Sequence, residues 1–260
     1  MTKPMPLLVF TDLDGTLLSH EDYDWRAALP ALTRLKTIGA GVIMASSKTA
    51  PEIEVLQQET GLSDWPAIVE NGAGLLDKRD NARAQHDDYA RLRAELDSLP
   101  DALRKFFRGF GDMSVSQIAE VTGLAEASAT LAARRRFSEP GTWSGATKEL
   151  ETFQAHLKAR GIFAREGGRF LTLSFGKTKA DQMARIITRY TPHNTVALGD
   201  APNDIEMLQA ADFGIIVANP HRTPLPLLKG EDTGRVLRTD RSGPEGWNEA
   251  MLSLLARLHL

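Results

Sequence analysis

Apolar residues in this chain fall into short unbroken runs, separated by longer stretches in which they recur every three or four positions. The runs are Leu7-Leu8-Val9-Phe10, Gly41-Val42-Ile43-Met44-Ala45, Ala67-Ile68-Val69, Thr195-Val196-Ala197-Leu198 and Phe213 to Val217. Their length and composition suit strands buried on both faces, as in a parallel sheet. Between them the spacing predicts a helix over Trp25 to Ile38 and another over Met183 to Tyr190, where Met183, Ile186, Ile187 and Tyr190 share one face. A closing helix is predicted over Glu245 to Leu258, and Thr49-Ala50-Pro51-Glu52 has the form of a capping box that opens a further helix. Strands alternating with helices in this way predict an α/β fold.

Polar residues at the ends of these runs carry the candidate chemistry. Asp12-Leu13-Asp14-Gly15-Thr16 follows the first run, so two carboxylates emerge together where a buried strand stops. In open α/β sheets, loops at the carboxyl ends of strands are where ligands bind. One carboxylate can attack phosphorus to form an aspartyl-phosphate, while a second carboxyl protonates the leaving oxygen and later activates water. Asp12 is the candidate nucleophile and Asp14 the candidate acid and base. Two anions repel a phosphate dianion, so a divalent cation, Mg²⁺, is the expected cofactor.

The second run ends in Ser46-Ser47-Lys48-Thr49, whose hydroxyls and backbone N–H groups suit a phosphoryl oxygen; Thr49 itself reads as the helix cap. Gly176-Lys177-Thr178-Lys179 precedes the helix that contains Met183, and either lysine could neutralise phosphate charge. Gly199-Asp200-Ala201-Pro202-Asn203-Asp204 follows a further strand, with Asp200 and Asp204 placed to complete a metal site.

In order and spacing these four segments resemble the four motifs of the haloacid dehalogenase superfamily of phosphatases. Asp12 and Asp14 match the first motif, Ser46 the second, Lys179 the third, and Gly199-Asp200-x-x-Asn203-Asp204 the fourth. Lys179 is preferred to Lys177 because that family places its lysine immediately before the helix. The resemblance implies that Asp12, the backbone carbonyl of Asp14 and Asp200 hold Mg²⁺. Asp204 and Asn203 would orient that shell or the phosphate, and Ser46, Ser47 and Lys179 would bind phosphoryl oxygens.

A narrower resemblance rests on segments that the chemistry does not require. Ala45 to Thr49, Glu70-Asn71-Gly72-Ala73, Arg136-Phe137-Ser138-Glu139-Pro140, Gly199 to Asp204 and Arg238 to Trp247 resemble the mannosyl-3-phosphoglycerate phosphatases. This implies a Rossmann-like parallel-sheet core with an inserted α/β cap of the Cof type (C2B). It also implies a small-molecule phosphorylated sugar acid, mannosyl-3-phosphoglycerate or its glucosyl analogue, as substrate.

About 130 residues separate the second and third motifs, so an inserted domain is expected between them. We place the core at 1–80 and 175–260 and the cap at 81–174, with the polar stretch Asp77 to Asp88 as a crossing linker. Within the cap, helices are expected near Tyr89 to Leu96, Ser116 to Val121, Glu126 to Ala133 and Thr147 to Arg160. Strands are expected around Arg135 to Ser138, Gly161 to Ala164 and Phe170 to Ser174. The cap carries 14 Lys and Arg against 12 Asp and Glu, the remainder 17 against 22. Arginine pairs with planar carboxylates through two prongs, which makes Arg136 and Arg169, with Arg134 and Arg135, candidates for the acid group of such a substrate. Ser138 and Glu139 are candidates for sugar hydroxyls and Trp143 for a sugar ring.

Composition narrows the function classes. A net charge of −3 and a pI near 6.1 give no support to nucleic-acid binding. With no cysteine there is no disulfide or thiolate metal site. The six histidines lack metal-ligand spacing, and neither a Walker loop nor a dinucleotide fingerprint occurs. No apolar stretch reads as a signal peptide or membrane helix, so a cytoplasmic protein with no membrane partner is expected. Within the same class, a broad sugar-phosphate phosphatase would use the same core. A phosphoacceptor signalling module also combines an acidic pocket, a hydroxyl and a lysine; the long insertion and the second carboxylate at Asp14 argue against it.

Overall fold

The computed structural model describes residues 5–77, 88–167 and 169–260. The chain enters through β1 (Leu7–Thr11) and β2 (Gly41–Met44) and makes a hairpin of β3 (Ala67–Val69) and β4 (Gly74–Leu76). It then builds β5 (Phe107–Gly109), β6 (Ser138–Trp143), β7 (Phe163–Gly167) and β8 (Phe170–Ser174), and returns through β9 (Asn194–Gly199), β10 (Phe213–Ala218) and β11 (Val236–Ser242). The helices are α1 (Leu29–Thr37), α2 (Ala50–Thr60), α3 (Asp88–Asp97), α4 (Asp101–Arg104), α5 (Val115–Thr122), α6 (Glu126–Ala132), α7 (Thr147–Lys158), α8 (Lys179–Tyr190), α9 (Ile205–Ala210) and α10 (Gly243–Arg257).

A five-stranded parallel sheet in the order β11-β10-β9-β1-β2 forms the core, and β3 extends it through a bridge between Ala45 and Ile68. Every residue of β1 is buried. Because side chains alternate along a strand, Leu7 and Val9 face one layer, with Trp247, Met251 and Leu254 of α10. Leu8 and Phe10 face the other, with Met183 and Ile186 of α8 and Met207 and Leu208 of α9. Each fully buried side chain of this size contributes roughly 1.5–3 kcal/mol. With all five strands parallel, Asp12, Ser46, Asp200 and Asn219 arrive at one edge of the sheet.

The cap sheet is antiparallel, in the order β5-β6-β8-β7. One face carries Phe107, Leu171 and Leu173, packed against Leu92, Leu96, Phe153 and Leu157 of α3 and α7. Near the other, α5 and α6 pack through Phe110, whose ring meets Phe170 edge-on at 5.3 Å. This is the Rossmann-like core with an α/β cap that the sequence predicts. Among the described residues, no helix is long and apolar enough to cross a membrane.

A buried carboxylate ties cap to core. Glu70, in the turn after β3, accepts the backbone N–H groups of Arg136 (2.9 Å), Phe137 (3.2 Å) and Ser138 (2.8 Å) and the Ser138 hydroxyl (2.7 Å). Arg135 adds an ion pair at 3.3 Å. Thr49 Oγ1 donates to the carbonyl of Leu131, and Arg135 donates to the carbonyl of Ser47. Glu70 and Asn71 are held at φ of 51° and 58°, and strain of about 1–3 kcal/mol per residue of this kind persists only where surrounding bonds over-determine it. Gly72 completes the turn at φ 91°, where a Cβ would lie 2.1 Å from the carbonyl carbon of Thr178, so only glycine lets this turn meet the start of α8.

Several expectations are corrected. The strand expected over Arg135 to Ser138 begins only at Ser138, because the preceding N–H groups bond to Glu70 rather than to a neighbouring strand. That expected over Gly161 to Ala164 begins at Phe163, because Gly161 and Ile162 are still bonded back to α7. Trp25 to Ile38 divides into a short 3-10 turn over Arg26–Ala28 followed by α1. Strands β4, β5 and β11 and helices α4 and α9 were not anticipated. The crossing linker, and with it the boundary at 80/81, lies outside the described residues apart from its ends at Asp77 and Asp88.

Removing the Glu70 carboxylate strands several donors and one guanidinium in a closed interface. Glu70→Ala is expected to lower stability by ~3 kcal/mol, seen as a clear drop in the urea unfolding midpoint. An unchanged midpoint would contradict the anchoring role.

Candidate active site

Asp12 follows the last residue of β1, and its loop is braced from several sides. Its N–H donates to the carbonyl of Leu198 on β9, and Thr11 Oγ1 donates to the carbonyl of Asp12. Trp247 Nε1 of α10 in turn donates to Thr11 Oγ1 at 2.9 Å, which gives the Arg238 to Trp247 segment a role beneath the loop. Asp200 follows β9, with its carboxylate accepting from Thr16 Oγ1 (3.3 Å) and Asn219 Nδ2 (2.6 Å) and lying 3.5 Å from Arg222. Thr178 caps α8 in a capping box with Asp181, which makes Lys179 the first residue of the helix.

Lys179 is 2% exposed and reaches both acidic loops. Its Nζ donates to Asp12 Oδ1 at 2.6 Å and to Asp204 Oδ1 at 2.7 Å. The other oxygen of Asp204 accepts the N–H groups of Asp200 and Ala201. Burial disfavours the ammonium, yet the charges of Asp12 and Asp204 outweigh it and hold the pKa of Lys179 above its ordinary value. Burial pushes Asp12 up to about 6, with Asp204 and Asp14 adding to the rise against the pull of Lys179. Asp200 is raised by burial first and by Asp12 second.

Asp12, Asp200 and Asp204 each offer an oxygen within 4.8 Å of the others. Three buried carboxylates and one ammonium leave a net charge of −2; the upward shifts of Asp12 and Asp200 come first from burial, and the neighbouring carboxylates add to them. A hard divalent cation with oxygen preference fits this donor set. Asp12 and Asp200 would hold it, with Asp204 engaged by Lys179 and the loop N–H groups. Asp14 lies outside this group, and its carboxylate pairs with Lys48.

The other predicted residues divide into two sets. Ser46 is buried at the tip of β2, its hydroxyl accepting the Lys48 N–H, while Ser47, Lys177, Lys179 and Asn203 line a cleft of ≈ 570 Å³ between core and cap. Asn203 donates to Asn71, which lines the same cleft, at 3.0 Å. Arg136, Ser138 and Arg169 do not line it. Arg169 donates to the Thr122 carbonyl at the end of α5, and Ser138 is closed between Glu70 and Arg135. Arg136 is held through its backbone N–H by Glu70. Glu139 lies on the helix-facing side of the cap sheet, bonded by Gly111 and Arg93, and Trp143 packs on Phe153.

Residues not foreseen take their place. Arg165, Thr172 and Ser174 of the cap and Asn71, Glu206 and Arg222 of the core line the cleft. Arg222 follows the end of β10, where parallel topology alone would have directed attention. Arg165 carries no local signal: it is one arginine on an exposed edge strand.

A parallel sheet with crowded carboxylates and a buried lysine at its carboxyl edge defines the class of α/β protein whose polar site stands at the strand ends. The family model of haloacid dehalogenase-like hydrolases matches residues 7–212, and the chain belongs to that family. Among solved structures it resembles the sucrose-phosphatase of Synechocystis sp. PCC6803, solved with sucrose and phosphate, at 17% identity over 98% of each chain and a TM-score of 0.62. It also resembles the HAD subclass IIB sugar phosphatase BT4131, at 17% identity over 95% of this chain and 98% of that one, with a TM-score of 0.64. A third is the phosphatase BT1666 of Bacteroides thetaiotaomicron, at 18% identity, 98% and 96% coverage and a TM-score of 0.61. At these identities the likeness is one of fold.

The raised Asp12 sets a pH dependence. A carboxyl raised from 3.8 to about 6 contributes stability below its unfolded value that is lost as pH rises through the folded one. A bound cation must displace that proton. Millimolar Mg²⁺ added to chelator-treated protein is therefore expected to raise the thermal midpoint more at pH 7.5 than at pH 5. Equal shifts, or none, would contradict the cation site.

Proposed function

We propose that this protein is a Mg²⁺-dependent phosphomonoesterase acting on a small phosphorylated sugar acid, with mannosyl-3-phosphoglycerate or glucosyl-3-phosphoglycerate as leading substrates. The observation that carries the reading is the Lys179 bridge: the lysine that lines the cleft with Ser47 and Asn203 is paired with one buried carboxylate, Asp12, at 2.6 Å and with Asp204 at 2.7 Å. In this reading an Asp12 oxygen attacks phosphorus as the bond to the sugar-acid oxygen breaks, and Asp14 supplies the proton that the leaving oxygen takes up. Asp14 then removes a proton from water, whose oxygen attacks the aspartyl-phosphate and returns Asp12 as a carboxylate. Lys179, Ser46 and Ser47 face the phosphoryl oxygens. When bound, the divalent cation would supply charge neutralisation that lets a dianion approach carboxylates.

Residues 81–174, in this proposal, select the organic part of the substrate. Arg165 with Lys177 offers cations for a carboxylate, while Asn71, Glu166 and Glu206 offer partners for hydroxyls on the same cleft. Two of the similar structures described above are sugar phosphatases by their own descriptions, which supports a sugar ester over a nucleotide or protein substrate. A broader sugar-phosphate phosphatase is the second reading, favoured by the exposure of Arg165 on an edge strand.

Asp12→Asn is expected to abolish turnover while leaving the fold intact; full activity would remove the nucleophile. Across phosphorylated sugars and sugar acids with Mg²⁺, kcat/KM is expected to favour glycosyl-phosphoglycerates by at least about tenfold, ~1.4 kcal/mol of transition-state binding. Arg165→Ala is expected to erase that preference. Equal losses on substrates with and without a carboxylate would contradict its role and favour the broader reading.

A further inference from the structure

Lys48 has no part in the mechanism above, yet it forms an ion pair with Asp14. Its Nζ lies 2.8 Å from Asp14 Oδ1, with the lysine side chain 16% and the aspartate side chain 34% exposed. Asp14 Oδ1 is itself sealed from solvent, so the exposed part of that carboxyl group is its other oxygen. The lysine backbone is fixed on both sides: its N–H donates to Ser46 Oγ (3.3 Å), and its carbonyl accepts from the Glu70 N–H (3.0 Å). The centre of the Tyr23 ring stands 5.2 Å from Nζ, and Tyr23 is held at a left-handed φ of 60° in the loop after β1. Burial opposes the charge of Lys48, but Asp14 outweighs it and keeps the ammonium protonated.

An ammonium has donors only and cannot accept a proton. Its positive charge, 2.8 Å from the sealed Oδ1, disfavours a proton on that oxygen, so a proton carried by Asp14 sits on Oδ2, the oxygen left open. We propose that Lys48 is a positioning residue that turns Asp14 so that Oδ2 delivers the proton to the leaving oxygen, an inference that rests on the phosphomonoesterase reading. In the first displacement the Asp12–phosphorus bond forms and the phosphorus–oxygen bond of the ester breaks. The electron pair of that bond takes the proton from Asp14 Oδ2, and the new carboxylate stays paired with Lys48. The ammonium can stay beside Oδ1 whether Asp14 is neutral or ionised, so the pair need not rearrange between the two half-reactions.

A residue that acts through proton delivery is needed in proportion to how badly the leaving group needs a proton. Phenyl phosphate and 4-nitrophenyl phosphate have the same charge and nearly the same shape, but nitrophenolate departs readily unprotonated and phenolate does not. With the full chain and Mg²⁺, Lys48→Met is expected to lower kcat/KM on phenyl phosphate at least about tenfold more than on 4-nitrophenyl phosphate. Lys48→Arg, which keeps a cation at that place, is expected to restore the wild-type ratio of the two esters, with thermal unfolding showing both variants folded. Equal losses on the two esters would overturn the proposal, because they indicate a general disturbance of the Ser46 to Thr49 loop or a direct contact with phosphate. Failure of Lys48→Arg to restore the ratio would overturn it too. A wild type inactive on both esters, or one whose activity survives Asp12→Asn, would overturn the phosphatase reading and this inference with it, whereas active wild type with equal losses overturns this inference alone.

Discussion

A single ammonium group organises this molecule. Lys179 Nζ sits between Asp12 and Asp204, joining the loop after β1 to the loop after β9 from the first turn of α8. Three acidic groups cannot be packed at the buried ends of adjacent strands without a cation among them, and breaking a buried pair on one side costs about 3–5 kcal/mol. The helix that delivers the lysine is also the one that covers the sheet: Met183 and Ile186 seal Leu8 and Phe10. Its approach requires Gly72, whose carbonyl accepts from Gln182 and whose missing side chain admits the backbone of Thr178. Core packing and site charge are thus two consequences of one helix placement.

A second buried charge does for the cap what Lys179 does for the core. Glu70 gathers the segment ahead of β6, and its own N–H holds the Lys48 carbonyl, so the loop carrying Ser46, Ser47 and Lys48 is braced by the group that fastens the cap. The cleft between core and cap is consequently bounded by elements locked to one another at the Glu70 side and lined by polar groups from both. A pre-formed site of this kind gains selectivity from where its charges already stand.

The parts legible in the sequence were those where one physical requirement acts alone. Strands buried on both faces must be apolar throughout, so β1, β2, β3, β9 and β10 stood out, and the carboxylates at their ends stood out with them. β11 (Val236–Ser242) escaped because an edge strand with exposed Arg238, Asp240 and Arg241 has no apolar run to show. Arg135 to Ser138 reads as a strand in sequence, but the N–H groups of Arg136, Phe137 and Ser138 answer to Glu70, sixty-odd residues away. The arginine triplet drew attention to Arg136 as the substrate contact, whereas the cleft is lined by Arg165, isolated in sequence and brought in only by the antiparallel register of β7 against Thr172 of β8. Long-range pairing, invisible to local periodicity, decided each of these.

In the proposed function the Lys179 bridge makes Asp12 the group that takes the phosphoryl unit. That role is tested most directly by quenching the wild-type protein during turnover with Mg²⁺ and substrate, reducing any acyl phosphate with borohydride and mapping the modified peptide by mass spectrometry. Reduction is expected at position 12 alone, dependent on substrate. Modification at Asp14 or Asp200 instead, or turnover with no trapped carboxyl at all, would contradict it.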